Sequence, residues 1–102
     1  MDKIYYPYPA TNKRHKFFII TDTGRKISFG QYGAEDYTTY YKKEGREIAD
    51  ERKRLYIKRH KKREEKNWNK SGINSASFWS VFYLWNLPTL EASYRDIQKR
   101  FL

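Results

Sequence analysis

Hydrophobic and polar positions in the first third of the chain follow the repeat of β-strands. Residues 16–21 (KFFIIT) are β-branched and aromatic, and residues 26–29 (KISF) alternate with a period of two. The turn-forming residues Asp22, Thr23 and Gly24 lie between the two segments, so the pattern predicts a β-hairpin. Because an isolated hairpin is barely stable in water, it must pack on the later helices or gain a third strand.

Helical spacing replaces this alternation further along the chain. Segment 36–41 is ambiguous, with Asp36 or Thr38 as the cap of a short helical turn. Residues 46–66 are nearly all good helix formers. Their apolar stripe contains Ile48, Leu55 and Tyr56.

Two more helices are predicted in the C-terminal third. Aromatic residues recur on one side of the segment 78–85, at Phe78, Phe82 and Trp85. Pro88 suits the first turn of a last helix. That helix carries a stripe that either completes the core or docks on another chain: Leu90, Tyr94, Ile97 and Phe101.

These elements predict an α+β fold, in which an N-terminal β-hairpin packs on two or three helices. At 102 residues the chain forms one domain at most, which we expect to span residues 16–102. A chain of this size has a small core, so a few large rings must fill it. The expected core anchors are Phe29, Tyr56, Phe78, Trp79, Phe82 and Trp85.

Residues 1–15 are predicted to form an extended N-terminal arm, called here the Tyr/Pro arm. Tyrosines alternate with prolines in residues 5–9 (YYPYP), which favours extended or polyproline geometry. Such a segment is either a loose tail or a strap on a neighbouring protein. We favour the strap, with Tyr5, Tyr6 and Tyr8 as its contacts, since tyrosine loses little side-chain entropy for the area it buries.

The chain is strongly basic. It contains 22 Lys and Arg residues and 12 Asp and Glu residues, which gives a net charge of +10. Such an excess predicts a polyanionic partner, which is nucleic acid, an acidic protein surface or, less favourably, an anionic membrane. The alternative is an ordinary solvated surface. The absence of cysteine excludes disulfides and cysteine-bound zinc. No apolar run is long enough for a membrane span, and no secretory signal is evident.

Cations concentrate in the predicted long helix, where residues 52–63 contain eight Lys and Arg residues and no acid. Unlike a salt-bridged surface helix, this run needs compensation from outside the chain. We expect the solvent face, which would contact phosphates without reading sequence, to carry Lys53, Arg54, Lys58, Lys61 and Lys62. Asp50 is expected to pair with Arg54. Arg52, Arg59 and Arg63 complete the predicted polyanion- or partner-binding set. Because they lie closer to the apolar stripe, they are also expected to pair with internal carboxylates such as Asp36.

Catalytic chemistry has little support in the sequence. The two histidines, His15 and His60, have no spacing to other ligands that indicates a metal site, and no serine lies in a nucleophile elbow. Glu64 follows His60 by one helical turn, which is more typical of a structural hydrogen bond than of the active site of a nuclease. We therefore predict a chain that is not an enzyme and has no cofactor, metal or small-molecule substrate.

Several short motifs, taken together over residues 17–93, resemble a family of small basic proteins of large eukaryotic DNA viruses and some tailed phages. They are residues 26–30 (KISFG), Gly33, residues 36–38 (DYT), Tyr56, Arg59-His60, Trp68, Gly72-Ile73, Phe78-Trp79, Leu84-Trp85 and Pro88. The resemblance implies a viral origin and a role in the virion or its assembly. It implies no activity and no catalytic residue.

The sequence thus predicts a non-enzymatic virion component, a minor capsid or cement protein. It would bridge larger capsid subunits through the basic helix and the Tyr/Pro arm, and would be located in the infected cell before assembly. The alternative is a sequence-nonspecific nucleic-acid-binding protein of a DNA virus.

Overall fold

The computed structural model describes residues 3–102, which begin with an antiparallel sheet in the order β1-β2-β3. The strands are β1 (Tyr8–Pro9), β2 (His15–Ile20) and β3 (Lys26–Gln31). Phe17 lies opposite Phe29 and Ile19 opposite Ile27, so apolar side chains of β2 and β3 share one face. The predicted hairpin is confirmed, and β1 supplies the third strand.

Four α-helices follow the sheet within residues 3–102, with a π-helical turn between the last two. They are α1 (Tyr37–Glu44), α2 (Arg46–Glu64), α3 (Ala76–Trp79), the π turn (Ser80–Leu84) and α4 (Leu90–Phe101). The α+β class is therefore confirmed. The 3-10 turns Glu65–Asn67 and Lys70–Gly72 connect α2 to α3, so α2 ends two residues before the predicted boundary at Lys66.

Two helix caps settle details that the sequence left open. Asp36, not Thr38, caps α1: its carboxylate accepts a bond from the Thr39 amide, and the Thr39 hydroxyl accepts one from the Asp36 amide. Thr89 caps α4 by accepting a bond from the Ala92 amide at 3.1 Å. Pro88 therefore precedes the cap. The sequence-based prediction, which placed Pro88 in the first turn of the helix, is wrong.

Rings and aliphatic side chains from the sheet, the π-turn region and α4 make one core. Ile19, Phe29, Phe78, Trp79 and Ile97 are at most 1% exposed. Three of the expected core anchors lie only at the edge of this core: Tyr56, Phe82 and Trp85 are half-buried. The stripe of α4 completes the core, since Leu90, Tyr94 and Phe101 pack against it around Ile97.

The π turn explains why the predicted stripe Phe78, Phe82 and Trp85 is incomplete as a description of the core. Its last bond runs from the Trp85 amide to the Ser80 carbonyl, one residue wider than in an α-helix. The wider turn changes which side chains face inward. Besides Phe78, it buries Val81, Tyr83 and Leu84, while Phe82 and Trp85 stay partly exposed.

The Tyr/Pro arm packs on the domain over the part that the structure describes; residues 1 and 2 lie outside the described residues. The Tyr5 side chain is 8% exposed, stacks on Trp79 and donates a hydrogen bond to Asn74 Oδ1 at 2.7 Å. The Tyr5 amide bonds the Ile20 carbonyl at 2.8 Å. Tyr8 lies in β1, opposite Phe18. Tyr5 is therefore a core residue and not a contact on a neighbouring protein, because its ring fills a space within this chain.

The buried Tyr5 hydroxyl gives a stability test of this arrangement. We expect Tyr5→Phe to lower the free energy of unfolding by about 1 kcal/mol, because the change removes the bonds to Asn74 and Asp22. The adjacent Tyr6 is 38% exposed, so the matched variant Tyr6→Phe should stay within about 0.5 kcal/mol of wild type. Urea unfolding followed by circular dichroism measures both. Equal stability of the two variants would contradict a docked Tyr5.

None of the helices within residues 3–102 combines the length and the apolar character that crossing a bilayer requires.

Candidate polyanion-binding ridge and adjoining cleft

One side of α2 packs on the domain. Ala49 is fully buried, and the Lys53 ammonium donates to the Asn86 carbonyl at 2.8 Å. Tyr56 lies between Trp85 and His60, with ring centroids 4.5 and 4.2 Å away. The burial of Tyr56, with a smaller effect of the Glu64 charge, raises the pKa of its hydroxyl to about 12, so the ring stays neutral.

Two predictions for α2 are wrong on this face. Lys53 was expected in solvent, but burial lowers the pKa of its ammonium, and its nitrogen is 5.2 Å from the centre of the Tyr37 ring. Ile48, assigned to the apolar stripe, is 43% exposed. The physical reason is the rotation of the helix: Ala49 and not Ile48 faces inward, which brings Lys53 inward one turn later.

The ion pairs of α2 also differ from the expected ones. Arg54 pairs with Glu51 at 2.5 Å, and Asp50 instead accepts a hydrogen bond from the Tyr37 hydroxyl at 2.7 Å. Asp36 pairs with Lys16 at 2.7 Å. The predicted pairs of Asp36 with Arg52, Arg59 and Arg63 are therefore absent, because a lysine of β2 is closer to this carboxylate.

The opposite side of α2 and the 3-10 turn after it carry a row of exposed lysines, called here the basic ridge: Lys58, Lys61, Lys62 and Lys66. They line a shallow, open depression together with Glu65, which is 3.5 Å from Lys61. Both partners of that pair are about 60% exposed, so it contributes little. Within residues 3–102, Lys58, Lys62 and Lys66 have no carboxylate within 4 Å.

The exposed part of α2 also contains arginines that the sequence singled out. Arg63 is exposed and has no carboxylate partner within residues 3–102. The Arg52 guanidinium lies 5.3 Å from the centre of the Tyr40 ring, so the two side chains form a cation–π contact. The structure therefore brings three of the predicted phosphate-contacting residues together, Lys58, Lys61 and Lys62, and adds Lys66, which the sequence had not selected.

A cleft of about 530 Å³ lies between the hairpin and α2, and sequence reasoning did not identify it. Both histidines line it, His15 from β2 and His60 from α2, together with Arg14 and Arg59. The two histidine–arginine pairs are 45 positions apart in the sequence, so no spacing rule connects them. The one feature of the sequence that could have indicated the cleft is that each histidine directly follows an arginine.

Residues from separate motifs that carry the family resemblance meet in this cleft. Gly30 from β3, Arg59-His60 from α2 and Leu84-Trp85 from the π-turn region all line it. Gly30 has φ +76°, and a Cβ built on it would lie 2.8 Å from Leu84 Cδ1. Glycine thus allows β3 to approach the π turn closely.

His60 and Glu64 lie one turn apart on α2, with His60 Nδ1 2.6 Å from Glu64 Oε2. A hydrogen bond from the ring to a carboxylate oxygen requires the His60 tautomer that carries its proton on Nδ1. Within residues 3–102, no three His, Asp or Glu side chains converge in a way that could hold a metal ion. The expectation that the chain is not an enzyme stays a prediction.

Two buried polar atoms beside the cleft have no hydrogen-bond partner within the part of the chain that the structure describes. They are His15 Nδ1 and Glu35 Oε2, whose residues both line the cleft. The other oxygen of Glu35 accepts a bond from the Lys43 ammonium at 2.9 Å. That bond lowers the pKa of the Glu35 carboxyl, so the group is ionised at neutral pH.

Fold and surface together define a small α+β domain with a basic helical ridge. Residues 8–44, from β1 to the end of α1, match a family of unknown function (DUF5754). No curated protein sequence and no solved structure matches the chain. The match covers the sheet and α1 and ends before α2, so the basic ridge lies outside it.

Proposed function

We propose that this protein is a non-enzymatic structural component of a virus particle, a minor capsid or cement protein that contacts an anionic surface through the basic ridge. The observation that carries the proposal is the ridge itself, which presents Lys58, Lys62 and Lys66 to solvent without carboxylate partners within residues 3–102. Like charges this close repel, and an external polyanion relieves that repulsion.

The viral setting rests on the resemblance of the sequence motifs. Small size and a net charge of +10 are compatible with a component that fits between larger subunits of opposite charge. In this proposal the protein would occur in the virion and, before assembly, inside the infected host cell.

The docked arm changes how the protein would bridge its neighbours. Tyr5 is buried in its own domain and is unavailable, but Tyr6 and Ile4 remain 38% and 50% exposed. Tyr6 packs edge-on against Tyr94 of α4, with centroids 5.2 Å apart. We therefore propose that Tyr6 and Ile4 supply the apolar contact to a capsid subunit, as part of the folded domain and not of a strap.

Purified particles of the virus that encodes this chain test the proposal. We expect mass spectrometry to detect the protein in particles, and to detect it still after nuclease treatment and a high-salt wash, because apolar contacts survive salt whereas exposed ion pairs are screened. A non-structural viral protein of similar size is the control for contamination. Absence of the protein from particles would contradict the proposal.

Sequence-independent nucleic-acid binding is the second candidate, favoured by the arrangement of the ridge. Lys58, Lys62 and Lys66 lie four residues apart on α2 and the 3-10 turn that follows it, so they form a row along one side of a rod. A row of lysines suits contact with successive phosphates and includes no group that reads bases. Loss of the protein from particles after nuclease treatment would favour this candidate.

A further inference from the structure

We propose that the cleft between the hairpin and α2 is a binding site for a nucleoside phosphate, either free or as the phosphorylated end of a nucleic-acid strand. This inference goes beyond the basic ridge and uses different residues. It also departs from the sequence-based expectation that the protein has no small-molecule ligand.

Size and charge both suit such a ligand. The volume of about 530 Å³ falls within the range of small-molecule sites, roughly 300–1,000 Å³. Arg14 and Arg59 line the cleft, and neither has a carboxylate within 4 Å in the described part of the chain. A guanidinium presents a planar fork of donors that matches two phosphate oxygens.

The carboxylates of the cleft do not cancel this positive charge. Asp36 already pairs with Lys16 at 2.7 Å, and its other oxygen accepts the bond from the Thr39 amide that caps α1. Glu35 pairs with Lys43 at 2.9 Å. Each acid is thus matched by a lysine of its own, which leaves the two guanidinium groups as the uncompensated charge of the lining.

The unpartnered atoms indicate what else the ligand carries. A polar atom shielded from water without a partner is unfavourable, so a ligand that satisfies it gains affinity. Glu35 Oε2 can only accept, and His15 Nδ1 either donates or accepts. A molecule with hydroxyl or amino donors beside its phosphate satisfies both atoms, whereas inorganic phosphate has no donor apart from its own acidic oxygens. A nucleoside phosphate combines these groups.

The half-buried stack of Tyr56 and Trp85 supplies an apolar wall. Both residues line the cleft, and their rings are nearly parallel, 4.5 Å apart. The neutral Tyr56 adds no negative charge to repel the ligand, since its pKa is about 12. The wall thus offers apolar surface to a nucleobase or sugar, next to the cations that bind the phosphate.

Isothermal titration calorimetry with adenosine monophosphate tests the site. We expect saturable binding at one molecule per chain, no binding of adenosine, and at least a tenfold weaker affinity in Arg59→Gln and in Arg14→Gln. Arg63→Gln is the matched control, because Arg63 lies one turn further along α2, is exposed and does not line the cleft. It should bind as wild type does. Thermal melting of each variant verifies folding.

Three results would overturn the proposal. They are no saturable binding of either the nucleotide or the 5′-phosphorylated oligonucleotide, equal weakening by Arg63→Gln and Arg59→Gln, and binding of inorganic phosphate as tight as that of the nucleotide. Equal weakening by the two arginine variants would mean that the nucleotide binds to the exposed face of α2. Equally tight binding of inorganic phosphate would mean that the nucleoside contributes nothing to affinity. A 5′-phosphorylated oligonucleotide compared with its 5′-hydroxyl form distinguishes the two sources of the phosphate. Binding only of the free nucleotide, or also of the phosphorylated end, supports the site.

Discussion

Replacing Trp79 by alanine is expected to lower the free energy of unfolding by about 3–5 kcal/mol, the range for deleting a fully buried aromatic side chain. Trp79 is 0% exposed and lies at the centre of the core. For a domain of this size, whose total stability is on the order of 5–10 kcal/mol, the loss removes a large part of the free energy of unfolding.

The contacts of Trp79 explain why its loss cannot be absorbed locally. Its ring packs against Tyr5 from the arm, Phe29 from β3 and Phe78 from its own helix, with centroids 5.6 to 6.4 Å away. Its indole nitrogen donates to the Ile73 carbonyl at 2.8 Å. Three separate segments therefore lose a common partner, and a carbonyl loses its donor.

Urea unfolding monitored by circular dichroism measures the effect, with Tyr32→Ala as the control. Tyr32 is 56% exposed, so its removal should change stability by less than about 0.5 kcal/mol. Trp79→Phe should fall between the two, because it keeps most of the ring but lacks the hydrogen bond to Ile73. If Trp79→Ala were as stable as Tyr32→Ala, the core would be misassigned.

Reversing three charges of the basic ridge is the second change with a large expected effect. We expect Lys58→Glu, Lys61→Glu and Lys62→Glu together to abolish measurable binding to duplex DNA, if the polyanion is nucleic acid. The milder triple change to glutamine should make the negative slope of log affinity against log salt shallower by about 2.7. Each lost phosphate contact reduces the steepness by ~0.9.

The control must change the charge by the same amount elsewhere. Lys13, Lys70 and Lys99 are exposed and lie outside the ridge, so their replacement by glutamate takes the net charge from +10 to +4, as the ridge variant does (10 − 6 = 4). Binding through the ridge predicts that this control keeps a substantial part of the wild-type affinity. Equal loss in both variants would mean that net charge, and not the ridge, determines binding.

Particle assembly gives the corresponding test for an acidic protein partner. The ridge variant should be incorporated into particles less than the control variant, while both should be equally folded. Measuring both DNA affinity and incorporation separates the two candidate functions. If the ridge contacts capsid protein, the ridge variant is incorporated less even when the DNA affinity of the wild-type protein is negligible.

Local sequence predicted the elements of this fold well, because their causes are local. The hairpin follows from the alternation at residues 26–29 and from Gly24, whose φ of +85° is accessible to glycine. The long helix follows from its composition. The π turn was not predicted, because its five-residue spacing depends on which side chains the core accepts after Phe78 and not on a repeat in the sequence.

The candidate site was predictable only in part. The exposure of Lys58, Lys61 and Lys62 follows from a run of cations too dense to bury. The inward position of Lys53 does not follow from the sequence, since it depends on the carbonyl of Asn86, 33 residues away. The cleft could not be predicted from the sequence for the same reason, because Arg14, just before β2, and Arg59, in α2, approach each other only in the folded chain.

The amino-acid sequence by itself determined the hairpin of β2 and β3, the long helix α2, the excess of positive charge and the exposure of Lys58, Lys61 and Lys62, because composition and short periodic patterns control these properties. The tertiary structure alone decided that Tyr5 belongs to the core, that Asp36 pairs with Lys16, and that two histidines and two arginines share a cleft. Each of these depends on distances between residues far apart in the sequence, and packing, not local preference, sets such distances.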